Sequence, residues 1–327
     1  AEPDNDLAHD QLLTLTEQID LPPPAEGDSL YDYHHRSLDR LVWLLSGILA
    51  EQAAFRADPQ EADSLLTANY GRLSQTDFPD SLVPATGVTL PSFTADLMKV
   101  DNQAVRRWEN YFTGRGQKRL HLWLDLKVAA APLVTTILEE NELTRELVYL
   151  AMIESGMSTR AISSVGAVGP WQFMAGTAKD YQLRRNWWLD ERRDLEMSTR
   201  AAAKYIKDLY RRFGDWALVL AAYNTGGGRI ARKIRLHGHD NFWNMRLPSQ
   251  TTDFVPKFIA AARIGENPQK YGVQDRDIPP LRYDVLPVDD ATDLDLIARC
   301  AGVDGVAVRS LNPALLRGAS PPDMKGF

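Results

Sequence analysis

The spacing of apolar residues predicts a chain built mainly from α-helices. Between residues 37 and 56, apolar side chains recur at intervals of three and four, which is typical of a helix with one buried face. The pattern continues later in the chain and predicts helices at 104–113, 120–140, 146–153, 199–213, 215–224, 254–265 and 293–301. A succession of helices joined by short connections indicates an α-rich domain.

Changes in this pattern divide the chain into four parts. The first part holds many acidic residues, no Lys or Arg, and three consecutive prolines, which predicts an extended segment. In the last part, which opens at Pro279-Pro280, the alternation over Arg282–Val288 predicts a strand. We therefore predict an extended acidic segment, an N-terminal helical region, a main helical domain and a small C-terminal module, at 1–29, 30–95, 96–278 and 279–327.

One carboxylate, Glu154, interrupts an otherwise apolar helical face. It follows the 146–153 helix, for which Thr144 is the expected N-cap and Gly156 the expected stop. Burial and the negative end of the helix dipole both disfavour a charged carboxylate, so both raise its pKa. A raised pKa suits a general acid near neutral pH. The alternative is a glutamate that reaches solvent past the helix end, and the local pattern leaves both open.

Several further motifs follow Glu154-Ser155 in a fixed order. They are Ser163-Ser164-Val165-Gly166-Ala167-Val168-Gly169, Trp171-Gln172-Phe173-Met174, Asp190-Glu191-Arg192-Arg193-Asp194, Ala222-Tyr223-Asn224 and Val255-Pro256-Lys257. As an ordered set they resemble the family-1 lytic transglycosylases, which are lysozyme-like enzymes that cut the glycan strands of peptidoglycan. The resemblance extends over about residues 96–271 and implies a lysozyme-like, α-rich catalytic domain.

The resemblance also implies a mechanism that uses one carboxyl group. Glu154 would protonate the leaving glycosidic oxygen and then act as base on the C6 hydroxyl of the same muramic acid residue, which closes a 1,6-anhydro ring. Ordinary glycosidases need two carboxylates. The nearest other acids lie in a charged stretch where salt bridges and helix caps are the simpler interpretation; they are Asp180, Asp190, Glu191 and Asp194.

Residues that would bind the substrate follow from the same motifs. We expect Ser163 to hydrogen-bond the N-acetyl group or the ring region, and Gln172 to bind hydroxyls or amides. Tyr223 is expected to contact Glu154 or the N-acetyl group, and Ser155 to anchor the helix end. Phe254 stands where the family often has a tyrosine, so a hydroxyl that touches the catalytic glutamate is missing there. The full predicted set is Glu154 as the catalytic residue, with Ser155, Ser163, Gln172, Met174, Tyr223, Asn224 and Phe254. For Met174 and Tyr223 plain core packing is the alternative.

The C-terminal module resembles a degenerate LysM unit, a small βααβ module that binds N-acetylglucosamine. The strand-like Arg282–Val288, a short helix and Leu311-Asn312-Pro313 fit that pattern, whereas the usual opening turn is replaced by Asp289-Asp290-Ala291-Thr292. The alternative is an extension that packs on the catalytic domain. Because such a small unit buries little surface alone, we predict that it docks.

Composition excludes several other classes of function. The net charge of −7 does not favour nucleic acid as a partner. A single cysteine, Cys300, allows no internal disulfide, and the apolar run Leu41–Ala50 is about half the length of a transmembrane helix. The histidines form no metal-binding spacing, and the glycines at 226–228 lack the Lys-Ser/Thr of a phosphate-binding loop. We therefore expect neither a metal nor a cofactor.

The expected partner is the glycan strand of peptidoglycan, a MurNAc-GlcNAc polymer, bound by a monomer. The resemblance implies a periplasmic location, with outer-membrane or cell-wall association left open. Ala1 opens on acidic sequence, so we expect an export signal to have been removed. Two rival functions stay open: a hydrolytic muramidase of similar fold, and a non-catalytic peptidoglycan-binding scaffold.

Overall fold

The structure is a computed structural model that describes residues 97–274, 278–288 and 291–322. The predictions for residues 1–96, which comprise the acidic segment and the N-terminal helical region, lie outside the described residues. Within the described residues the protein is mainly helical, which confirms the predicted α-rich class.

Ten α-helices form the described part of the chain. They are α1 (Gln103–Thr113), α2 (Gln117–Glu140), α3 (Val148–Ser155), α4 (Ala175–Asp180), α5 (Leu195–Phe213), α6 (Trp216–Thr225), α7 (Gly227–His237), α8 (Ser249–Glu266), α9 (Leu294–Ala301) and α10 (Gly305–Leu311). Short 3₁₀ turns lie at Leu97–Lys99, Arg145–Leu147, Glu191–Arg193, Phe242–Asn244 and Pro268–Tyr271.

Capping residues fix the ends of the central helices. The side chains of Asp194 and Asp215 accept backbone N–H groups at the starts of α5 and α6, which satisfies donors that have no partner inside a helix. Gly156 and Gly214 adopt left-handed backbone angles at the ends of α3 and α5, as helix-terminating glycines do. The predicted stop at Gly156 is confirmed.

Helix α3 lies at the centre of the core. Its residues from Val148 to Ile153 are at most 3% exposed, and it packs against α2 and α8. A short helix that is apolar on every side is stable only when other helices surround it. The fold therefore holds the end of α3, where Glu154 lies, between fixed neighbours.

Helix α2 is long and apolar enough, by length and composition alone, to cross a membrane. It also contributes Leu120, Trp123, Val134 and Leu138 to the core of the described domain. Core helices pass the same test, so this property is weak evidence for a membrane span.

One local prediction needs correction, and three helices were not predicted from the pattern. The segment before Glu154 opens with the 3₁₀ turn Arg145–Leu147, and the Thr144 hydroxyl donates to the carboxylate of Glu146 instead of capping the helix. Gly227 and Gly228 form the first turn of α7, because only Gly226 takes the positive φ of 92° that redirects the chain. The pattern also missed α4 and α10, each of which is at most seven residues long.

The predicted strand at Arg282–Val288 is absent from the structure. Val285 and Leu286 are 83% and 68% exposed, and the segment is tied to α2 by the Leu281 N–H, which donates to the Ala129 carbonyl at 2.9 Å. Alternating residues form a strand only when a second strand supplies backbone partners. In this module α9 and α10 pack on each other, and an antiparallel bridge joins Asp293 to Ala319.

The C-terminal module docks on residues 187–190, which lead into the charged motif Asp190–Asp194. The Leu316 N–H donates to the Trp188 carbonyl at 2.8 Å, and the Asp190 N–H donates to the Ala314 carbonyl at 2.9 Å. The Arg317 guanidinium lies 3.4 Å from the centre of the Trp187 ring. These contacts agree with the predicted docking.

Candidate active site

Glu154 occupies the last turn of α3, next to the left-handed Gly156. Its side chain is half-buried. Burial raises the pKa of Glu154 to about 7, and the nearby Lys257 ammonium acts against that rise. A carboxyl group with a pKa near neutrality is able both to give and to take a proton at physiological pH.

Lys257, from α8, is bound to the end of α3. Its Nζ donates to the carbonyl of Ile153 at 2.9 Å. The neighbouring carbonyls of Ala151 and Met152 are capped by the N–H groups of Met157 and Gly156. Lys257 therefore satisfies a carbonyl that the helix itself leaves free, one residue before Glu154.

Two tryptophans enclose this lysine. The Nζ of Lys257 lies 5.4 Å from the ring centre of Trp123 and 5.9 Å from that of Trp108. Trp123 also packs on Gly156, where an added Cβ would lie only 2.4 Å from the indole Nε1. Position 156 thus requires glycine for two reasons, its positive φ and the closeness of this ring.

The glycine loop (residues 163–174) faces the end of α3. Ser163 begins the loop with a tight turn, in which its Oγ accepts the Ala167 N–H at 2.9 Å. Val168 and Phe173 then form an antiparallel bridge. At Gly169 an added Cβ would lie 1.7 Å from the carbonyl oxygen of Arg192, so the loop passes directly against the charged motif.

A buried ion pair supports the glycine loop from behind. Arg192 and Asp190 pair at 2.7 Å with side chains that are 6% and 7% exposed. The same guanidinium donates to the carbonyls of Gly166 and Phe173 at 3.2 and 3.3 Å. Glu191 pairs with Arg184, and Asp194 caps the start of α5. The charged motif is therefore structural in these contacts, as predicted.

Ser155 and Tyr223 fix the loop between α3 and α6. The Ser155 hydroxyl donates to the Pro170 carbonyl at 2.9 Å and accepts the Ser158 N–H, so it anchors the helix end as expected. The Tyr223 hydroxyl donates to the Trp171 carbonyl at 2.8 Å, rather than to Glu154. Burial raises the pKa of Tyr223 well above its usual value, and the charge of Glu154 adds to the rise.

The other predicted site residues take different positions. Gln172 has a strained φ of 51°, and its Nε2 donates to the Gly169 carbonyl at 2.8 Å. Met174 directly precedes α4, and Asn224 lies in the last turn of α6; both are half-buried. Phe254 is only 6% exposed and packs in the core, one turn before Lys257 on α8, which leaves little of its ring open to a substrate.

Sequence reasoning missed Lys257 and Arg192 as parts of this arrangement. A signal for Lys257 exists: it is the one charged residue between Phe254 and Ala262 in a run that is otherwise buried. Arg192 has no comparable signal, because its contacts depend on where the loop folds. Across the described residues, no group of three His, Cys, Asp or Glu side chains is placed to hold a metal ion.

Comparison with known proteins supports the same region. Residues 136–246 match the family model of the transglycosylase SLT domain, which confirms the resemblance predicted from the motifs. The matched span contains Glu154, the glycine loop and Tyr223, but ends before Phe254 and Lys257.

Relatives extend the similarity beyond this domain. The chain is 31% identical over 231 residues to membrane-bound lytic murein transglycosylase D of Escherichia coli (strain K12), covering 66% of this chain and 50% of the relative. The figures are the same for the protein of that name from Escherichia coli O6:H1. This chain is also 38% identical over 102 residues to a putative tributyltin chloride resistance protein of Alteromonas sp. (strain M-1). That similarity covers 31% of this chain and 49% of the relative. The chain thus spans about half the length of the curated relatives it matches.

Proposed function

We propose that this chain, whose residues 136–246 are a transglycosylase SLT domain, is a peptidoglycan lytic transglycosylase. It would cleave the β-1,4 bond between MurNAc and GlcNAc without water and leave 1,6-anhydroMurNAc ends. Glu154 is the proposed acid and base of this reaction. The named relatives from Escherichia coli, described as lytic murein transglycosylases, support the substrate class.

The observation that carries this proposal is the electrostatic setting of Glu154. Two causes act on its pKa, burial and the Lys257 ammonium, and neither is a second carboxylate. Asp190 and Glu191 are engaged by Arg192 and Arg184. Among the residues that the structure describes, Glu154 is thus the one carboxyl group that these observations assign to proton transfer. This suits a reaction in which the substrate supplies the nucleophile, whereas hydrolysis by paired carboxylates requires two.

The proposed reaction proceeds in two proton transfers. Glu154, protonated near neutral pH, gives its proton to the glycosidic oxygen as the bond from that oxygen to C1 of MurNAc breaks. The C1 centre then carries positive charge, which the N-acetyl group of the same sugar helps to stabilise. Glu154, now a carboxylate, takes the proton of the C6 hydroxyl as O6 bonds to C1. The enzyme ends in its starting protonation state, and no water is consumed.

The glycine loop is the proposed wall of the substrate groove. Its geometry is fixed by Ser155, Tyr223 and Arg192, whose hydrogen bonds end on loop carbonyls. We propose that Ser163, Gln172, Met174 and Asn224 contact the sugars, because each is half-buried or exposed and lies on the loop or at the end of α6. Ser155 and Phe254 support the site from within the protein.

The domain plan and location are also proposals. The catalytic domain would occupy 96–278, and the docked module at 279–327 would be a degenerate LysM-like unit. A murein substrate places the protein in the cell envelope, as the name of the Escherichia coli relative suggests. Binding as a monomer is the simplest arrangement for a groove formed within one chain.

Mass analysis of products tests the proposal. Purified chain is incubated with peptidoglycan sacculi, and the released muropeptides are compared for the wild type, Glu154→Gln and the exposed control Glu140→Gln. We expect ends that are lighter than hydrolytic ends by one water molecule, from the wild type and the control alone. Reducing ends would favour the muramidase. No cleavage by any variant, with retained binding to sacculi, would favour the scaffold.

A further inference from the structure

We infer that Lys257 is a positioning residue for Glu154: its ammonium ties α8 to the end of α3 and supplies the positive charge that holds the Glu154 carboxylate between its two proton transfers. The inference rests on the proposed role of Glu154 as acid and base. Lys257 lies outside the span matched by the SLT domain, so the domain match by itself assigns nothing to this residue.

The first support is the backbone contact. The last carbonyls of a helix point away from it without partners and carry its negative end. Backbone N–H groups cap Ala151 and Met152, whereas the ammonium of Lys257 caps Ile153 at 2.9 Å. A positive charge at that point offsets the helix field, which otherwise opposes a carboxylate on the next residue.

The second support is the enclosure of the ammonium itself. A partly buried ammonium is costly unless other groups replace its hydration. Burial lowers the pKa of Lys257, and the charge of Glu154 raises it. The Trp108 and Trp123 rings face the Nζ from α1 and α2 at distances where a cation–π attraction operates. The lysine is therefore held in one place, where it acts on Glu154.

Charged and titratable groups on the neighbouring elements define the field at this point. Lys257 from α8 and Tyr223 from α6 interact with Glu154, and Arg119 from α2 interacts with Lys257. Of these three groups, Lys257 alone acts directly on the pKa of Glu154, in the direction that favours the carboxylate. At the opposite end of α3, Glu266, Arg145 and Glu146 act on the pKa of Tyr149. Lys127 donates a hydrogen bond to the Tyr149 hydroxyl there.

The consequence for the reaction follows from charge balance. Glu154 is neutral before it protonates the leaving oxygen, and it becomes an anion at the negative end of α3 immediately afterwards. Lys257 stabilises that anion and therefore favours the first proton transfer, from Glu154 to the leaving oxygen. A neutral side chain at 257 would raise the pKa of Glu154 and so make it a weaker acid toward the leaving oxygen.

The test measures the ionisation of Glu154 directly, so that it stands even if the chain proves not to cleave peptidoglycan. Full chain carrying ¹³C-labelled glutamate is titrated by NMR between about pH 4 and pH 10, with Glu154→Gln identifying the resonance. The variants are Lys257→Met, which removes the charge, and Lys257→Arg, which keeps it. The matched control is Lys127→Met, which removes a half-buried lysine that hydrogen-bonds a different residue of the same helix.

We expect Lys257→Met to raise the pKa of Glu154 by about one unit and to lower kcat on sacculi by about tenfold, with KM changing little. The alkaline limb of the pH–rate profile should move upward by the same amount. Lys257→Arg should keep the wild-type pKa, and Lys127→Met should leave it unmoved. An unchanged or lowered Glu154 pKa in folded Lys257→Met would overturn the inference, as would Lys257→Arg behaving like Lys257→Met. If Lys257→Met does not fold, Lys257→Gln, which also removes the charge, is titrated in its place.

Discussion

Helix α3 is held by a lysine at both ends, and the two arrangements differ in what happens to the nearby carboxylate. Near its start, Lys127 donates to the Tyr149 hydroxyl at 3.0 Å, and that hydroxyl donates to Glu266 at 2.9 Å. Near its end, Lys257 donates to a backbone carbonyl at 2.9 Å, and Glu154 feels its charge through space.

The two ends of α3 therefore differ in the role that their carboxyl groups are suited to, structural support at the start and proton transfer at the end. In the first arrangement the carboxylate of Glu266 accepts a hydrogen bond from Tyr149. Burial and that carboxylate raise the pKa of Tyr149 far above physiological pH, so the hydroxyl keeps its proton. In the second, the same kinds of group leave a carboxyl whose pKa lies near neutrality. A lysine and a glutamate thus form a structural contact with Tyr149 at the start of α3, which we call the clamp, and a candidate acid at its end.

The largest expected difference between the two ends concerns activity. Glu154→Gln should fold and lose about a thousandfold of its peptidoglycan cleavage, because one carboxyl carries both proton transfers. Glu266→Gln should keep activity within about threefold, because it changes the clamp only. Turbidity loss of sacculi and soluble muropeptide release measure both variants. Comparable activity of the two variants would break the comparison.

Glycines at both ends should be equally intolerant of a side chain. In Gly156→Ala the new Cβ meets Trp123 Nε1 at 2.4 Å, and in Gly265→Ala it meets the Tyr149 ring at 2.2 Å. We expect each substitution to lower the free energy of unfolding by about 2–4 kcal/mol, with the positive φ adding to the first. Chemical denaturation measures this loss.

Gly156→Ala, next to Glu154, should also lose activity at temperatures where both variants are folded, whereas Gly265→Ala should not. Gly228→Ala is the control, since an added Cβ there meets no atom within 4 Å. A Gly156→Ala protein with full activity would show that the end of α3 is less tightly defined than its contacts imply.

The pH dependence of stability should differ between the ends. The pKa of Glu154 is about 7 in the folded protein against an ordinary 4.5, so between these values the folded state keeps a proton that the unfolded chain has released. The free energy of unfolding therefore falls as pH rises through this window. Glu154→Gln should remove this fall and gain about 1–3 kcal/mol at pH 8, less whatever Lys257 loses with its partner, and little at pH 4.

Thermal unfolding at both pH values measures this effect, with Glu140→Gln as the exposed control. A gain for Glu154→Gln that is the same at acidic and alkaline pH would contradict the raised pKa.

The smallest expected effect compares two tyrosines. Tyr149→Phe loses two hydrogen bonds at the clamp, whereas Tyr223→Phe loses the bond to the Trp171 carbonyl. We expect about 2 kcal/mol of destabilisation for the first and about 1 kcal/mol for the second, from calorimetry. Tyr223→Phe should in addition lower kcat by a few-fold, because the glycine loop loses an anchor. A larger kcat loss in Tyr149→Phe would reverse the assignment of the two ends.

How much the sequence predicts depends on whether the cause is local. The end of α3 and its glycine stop follow from neighbours within a few residues. The apolar pattern of this helix also predicts a buried Glu154 with a raised pKa, although the burial itself comes from α2 and α8, which are distant in the chain. Helix α7 was not predicted, because glycines are poor helix formers and its first turn contains Gly227 and Gly228, although only the preceding Gly226 has a positive φ. The strand at 282–288 failed because its pattern carries no information about a pairing partner. Lys257 and Arg192 act through contacts about a hundred and about twenty residues away, which periodicity does not encode.

Asp190 contacts both the C-terminal module and the support of the glycine loop, and this affects where the chain can be truncated. Its backbone N–H is bound by Ala314 of the C-terminal module, while its carboxylate grips the Arg192 that carries the glycine loop. A fragment ended at Pro279-Pro280, where composition suggests a natural boundary, would expose that buried aspartate and loosen the platform under the loop. A fragment that keeps both contacts of the module with this segment therefore has to extend at least through Leu316.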